Sequence, residues 1–115
     1  MHRSEFLKLL KKELPELAEN VNAEQGLLHL EVGVLKKHAQ RAIYGGDREL
    51  FSKCVKLAEK SYIEGNAALK DAINVSFVEE LEFYATKKAS YEWAWETMPI
   101  TLRQLYVSFH GNQKM

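Results

Sequence analysis

Glu80 draws attention first. On a helical projection of the stretch Asn66–Tyr84 it falls between Leu69 and Ile73, among the apolar side chains, and Ser76 falls there too. A carboxylate in such a place must be paired, protonated or set at a surface opening. Three roles are open to it: a capped or snorkelling structural glutamate, an acidic contact at a partner site or cleft, or a general acid or base. Asp71, Glu79 and Glu82 fall on a different side of the same stretch. They read either as a solvated acidic face or as a docking face. Tyr91, Trp93 and Trp95 form the other cluster. Tryptophans two apart on a helix point in nearly opposite directions, so one can be core while the other is exposed. The cluster is either packed interior or a binding anchor, the role in which Trp and Tyr are enriched.

Other chemistries lack their residue patterns. A di-metal bundle needs paired Glu-x-x-His motifs, and none of His2, His29, His38 or His110 has a glutamate three residues before it. The zincin pattern His-Glu-x-x-His is missing as well. Cys54 is the single cysteine, which excludes an internal disulfide framework and a cysteine zinc site. It could serve as a nucleophile beside a histidine, but it lies mid-arc on an apolar helix face, where a thiol behaves as a small buried hydrophobe. Gly45-Gly46 lacks the rest of a phosphate loop. His29, Gly33, Lys36 and Gln40 make a polar stripe that reads as solvated. No catalytic residue, metal or cofactor is expected, and the chain reads as a non-enzyme.

The elements that must position these residues are helices. The 115 residues, 46% hydrophobic and 28% charged, fit one soluble globular domain over 1–115. No apolar run approaches the roughly 20 residues a membrane span needs, and Met1–Phe6 does not read as a signal peptide. A cytoplasmic setting, with no membrane partner, is therefore expected. The formal net charge is zero, which argues against a nucleic-acid partner. The charge is segregated, however. Residues 36–60 carry seven basic side chains against three acidic, and residues 64–82 carry one basic against five acidic.

Ser4 is a suitable N-cap for a first helix carrying Phe6, Leu7, Leu10 and Leu14. Pro15 breaks that helix and starts a short second one. Asn22-Ala23-Glu24-Gln25 is a capping-box pattern for a helix over Ala23–Tyr44 ended by Gly45-Gly46. Gly26 and Gly33 inside it suggest close packing of a neighbour or a local irregularity. Asp47–Glu64 is the cleanest amphipathic stretch, with Glu49 and Lys53 in the favourable i,i+4 order. Asn66 caps the next helix, 66–84, which is apolar nearly all round and so enclosed by others. A turn at 85–88, a short aromatic piece over Ala89–Met98 and a last helix from Pro99 follow, with a frayed tail from His110. The sum is an all-α, single-domain bundle of about five to six helices around a central helix 66–84, with HEAT-like stacked hairpins as the variant arrangement.

Two segments together resemble an uncharacterised family of small bacterial all-helical proteins. They are Phe6-Leu7…Leu10…Glu13-Leu14-Pro15-Glu16-Leu17 (F-L-x-x-L…E-x-P-E-L) and Val75-Ser76-Phe77-Val78-Glu79-Glu80-Leu81 (V-S-F-V-E-x-L). His29-Leu30 sits where that family also has a His-Leu pair. Proteins of this size and class are similar in type to toxin-neutralising immunity proteins. The resemblance implies a non-catalytic protein that binds and blocks a cognate, basic, nuclease-type toxin domain. Asp71, Glu79, Glu80 and Glu82 would meet its positive charge, and Trp93 or Trp95 would anchor the contact. The other reading is a helical adaptor or regulator unrelated to toxins, monomeric or weakly self-associating.

Overall fold

The computed structural model describes residues 1–83 and 91–111. Seven α-helices account for most of them: α1 (Arg3–Glu13), α2 (Ala18–Asn22), α3 (Leu28–Gly45), α4 (Arg48–Glu64), α5 (Ala67–Ile73), α6 (Glu92–Thr97) and α7 (Ile100–His110). A 3-10 turn at Pro15–Leu17 joins α1 to α2, and a π-helical segment, Asn74–Val78, continues α5. No strand occurs among the described residues, and the all-α expectation holds. The radius of gyration is 13.5 Å, against roughly 13 Å for a compact body of this length.

The core draws on every element. Phe6, Leu10, Leu35, Ile43, Phe51, Cys54, Leu69, Ile73, Phe77 and Leu102 are all fully buried. Stretch 67–83 does lie amid its neighbours, touching α3, α4 and α7. It is not one helix, however. Regular α-structure ends at Ile73, and Leu81–Phe83 leave the helix altogether. Tyr84, the turn expected at 85–88, the start of the piece expected from Ala89, and the tail beyond Gly111 lie outside the described residues.

Local rules explain most boundaries. Asp47 caps α4 by accepting the Leu50 N–H at 3.1 Å, and Asn66 caps α5 by accepting the Leu69 N–H at 3.0 Å. Gly46 takes the left-handed conformation, φ 70°, that closes α3. Two starts differ from expectation. The cap of α1 is His2, whose N–H donates to the Glu5 carboxylate at 3.1 Å; the Ser4 hydroxyl bonds to the His2 ring instead. Helix α3 begins at Leu28 rather than Ala23. Gln25 and Gly26 both adopt positive φ, 53° and 84°, so the chain reverses there and the capping-box pattern goes unused. Asn22 instead accepts from the Lys11 ammonium at 2.6 Å. Gly33 faces open space, so no neighbour's close approach explains it.

Candidate binding surfaces

The acidic residues are arranged by the π turn. The Glu79 N–H donates to the Asn74 carbonyl at 3.0 Å, a five-residue step that widens the helix just before it ends. The wide turn lets Phe77 and Val78, neighbours in sequence, both bury completely. Beyond it the helical projection no longer applies. Glu80 is therefore exposed, not set among apolar side chains. Asp71 and Glu82 are exposed as well, and Glu79 is half-buried.

Helix α3 fixes this segment through two residues of the polar stripe: His29, which is exposed as expected, and Gln40, which is not. Gln40 is 8% exposed. Its amide donates to the Glu82 carbonyl at 3.0 Å and accepts the Glu82 N–H at 2.9 Å. One side chain thus satisfies both backbone groups, as a paired strand would. The Tyr44 hydroxyl donates to the Glu82 carboxylate at 2.8 Å, and that bond holds the phenol above its ordinary pKa. At the other end of α3, His29 Nδ1 lies 2.7 Å from the Ser76 hydroxyl and Nε2 lies 3.4 Å from Asp71. A hydroxyl, an imidazole and a carboxylate in series have the order of a hydrolytic relay. Here the Asp71 side chain is 66% exposed, so solvent competes with its hold on the ring. The arrangement works as a brace between α3 and the π segment. Of the four acids, Glu82 is tied to α3 on both backbone and side chain, and Asp71 lies beside His29. Glu79 and Glu80 remain to define an acidic edge, beside which His110 Nε2 donates to the Glu79 carbonyl at 3.0 Å.

The two tryptophans do not divide into core and surface; both are half-buried. Trp93 is held edge-on to Phe51 at 5.7 Å, with the Arg48 guanidinium 5.2 Å from its ring centre. Trp95 packs edge-on against Phe83 and Tyr106 at 5.5 and 5.3 Å. Its outer side lines an open hollow of about 440 Å³ with Ile100, Arg103 and Val107. Arg103 is fixed there by donating to the Met98 and Glu96 carbonyls at 2.9 and 2.7 Å. Ile100, 65% exposed, stands at its edge. A rigid aromatic beside an exposed aliphatic is the anatomy of a binding anchor.

Cys54 is buried, and desolvation pushes its thiol up to about 12. A thiol so placed is not a nucleophile at neutral pH. The carboxylate that is truly enclosed is one the sequence did not single out. Glu31 is 1% exposed, and Arg3 grips it with two bonds of 2.8 and 2.7 Å. That pair ties α1 to α3 across the reversal at Gly26. On α4, the expected Glu49–Lys53 pair does not form; among the described residues the ion pair on that helix is Lys60–Glu64, at 2.9 Å. No group of three His, Cys, Asp or Glu side chains that could hold a metal ion occurs among the described residues. Nor is any helix among them long and apolar enough to cross a membrane.

A family model described as a domain of unknown function, DUF7674, matches residues 7–112. The chain belongs to that family. The DUF7674 match runs from the second turn of α1 to just past α7, so the family unit includes both the acidic edge and the Trp95 hollow. No curated protein and no solved structure matches the chain.

Proposed function

We propose that this DUF7674 chain is a non-catalytic binding protein, an immunity protein that binds and blocks a cognate nuclease-type toxin domain. The observation that carries the reading is the Trp95 hollow. It offers an aromatic wall and an exposed Ile100 near one end of α7, while the acidic edge of Glu79 and Glu80 adjoins His110 at the other end. An apolar anchor at one end of α7 and carboxylates at the other suit a basic partner broad enough to span the helix: the anchor supplies affinity, and the charge supplies fast encounter and orientation. The same hollow would serve the second reading, an adaptor or self-associating protein.

Inspection of the neighbouring genes comes first: if one encodes a toxin domain, co-expression with that domain tests the proposal, and if none does the toxin reading loses its partner. Host growth should be restored by the native chain. It should be lost with Trp95→Ala or with Glu79→Lys plus Glu80→Lys, in variants whose melting temperature is retained. Continued growth arrest in the presence of folded native chain would sink the toxin reading. A concentration-dependent dimer in sedimentation, abolished by Ile100→Glu, would instead favour self-association.

A further inference from the structure

Helices α1 and α4 enclose a second groove, of about 330 Å³, lined by Leu9, Glu13, Lys53, Lys56, Leu57 and Lys60. Its floor is aliphatic and its rim is cationic, with three ammonium groups against one carboxylate. Lys60 is partly engaged by Glu64. Lys53 and Lys56 form no ion pair among the described residues. Both are exposed; Glu49 and Glu59 of α4 do not line the groove, though Lys53 also borders a neighbouring hollow with Asp47 and Glu49, with which it forms no ion pair. The apolar stems of the lysines extend the floor while their charged ends stay in water.

We propose that this groove docks an acidic amphipathic helix from a partner protein. It is a surface separate from the Trp95 hollow and opposite to the acidic edge in its charge preference. The occupant's chemistry follows from the lining. Leucine-sized side chains would seat against Leu9 and Leu57, and carboxylates would meet Lys53, Lys56 and Lys60. The shape follows from the spacing. The lysines stand three and then four residues apart, spanning two turns or about 10 Å of α4. A helix laid alongside carries its own carboxylates at the same three- and four-residue steps, so each can face an ammonium without distortion.

The test uses the full chain, isotope-labelled for amide spectra. It is titrated with a synthetic helical peptide that has leucines along one face and glutamates flanking them. The expected result is saturable shifts confined to α1 and α4, weakened by added salt. Lys53→Glu combined with Lys56→Glu should weaken binding by at least about tenfold. Lys53→Ala with Lys56→Ala should give a smaller loss in the same direction, guarding against a misfolded charge reversal; melting curves check both. The proposal is overturned by any of four results. The peptide leaves the α1 and α4 amides unmoved, or a lysine-bearing version binds equally well. A duplex oligonucleotide perturbs the same amides more strongly than the peptide. Or the chain's own concentration produces the shifts, which would make a second copy the occupant.

Discussion

Helix α4 and the stretch 67–83 are adjacent, equal in length and both rich in buried apolar residues, yet they are held in different ways. Helix α4 is closed locally. Asp47 caps its start, and Phe51, Cys54, Val55, Leu57 and Ala58 bury one face. Stretch 67–83 begins just as locally, with Asn66 as its cap, and then departs from the helix through a π turn. Near its end Glu82 owes both of its backbone partners to Gln40, a side chain 42 positions earlier. The difference teaches that burial alone does not select helix. Where another element supplies the donors and acceptors, the chain can leave the helix and still bury Leu81 and Phe83.

The sharpest way to break this contrast is to truncate the two cores in parallel. Phe51→Ala and Phe77→Ala both empty fully buried sites. Each should cost about 3–5 kcal/mol in denaturant melts. A cost below about 1 kcal/mol for Phe77→Ala would mean that the second region does not share the main core. Next in size is Gln40→Ala, which leaves two backbone groups of Glu82 without their partner and should cost about 1–3 kcal/mol. Hydrogen exchange should then speed at Glu82 while the α4 amides stay protected. Uniform acceleration would show that the clamp holds more than its own segment. Removing the cap with Asp47→Ala should cost about 1 kcal/mol and fray only the first turn of α4.

The smallest effect at neutral pH concerns Cys54. Its folded pKa is raised from 9.0 to about 12. Below about pH 9 the thiol is protonated in both the folded and unfolded chain, and its contribution is intact. As pH rises towards 12 the unfolded chain loses the proton first, so stability falls. A Cys54→Ala variant should flatten that alkaline limb of the stability profile. A limb unchanged by the substitution would place its origin elsewhere.

What the sequence disclosed follows the same division. The α4 pattern, the Pro15 break, the Gly45-Gly46 stop and the Asn66 cap are short-range signals, and each one sits where its chemistry requires. The reversal at Gln25-Gly26 overrode a capping-box pattern, because positive φ at two successive residues is not written in the cap motif itself. Glu80 was misplaced because a helical projection presumes that the helix continues, and the π turn ends it two residues earlier. Gln40 reads as solvated because its partner, Glu82, is distant in the chain; His29 is exposed as that reading has it, and only its bond to the equally distant Ser76 goes unread. Glu31 offered no local sign of burial; only Arg3, 28 positions before it, accounts for the enclosed charge. For the candidate surfaces, residue type pointed to Trp95 and to the acids. The hollow beside Trp95 and the lysine groove needed two helices to be set side by side.

The Gln40 clamp also bears on the order in which the molecule assembles. Closing a loop of 42 residues costs more entropy than forming the α3–α4 hairpin, whose contacts begin across a single tight corner. The hairpin should therefore form early and Glu82 should lock into place late. The acidic edge around Glu79 and Glu80 would then be among the last surfaces completed during folding and among the first to come undone under stress.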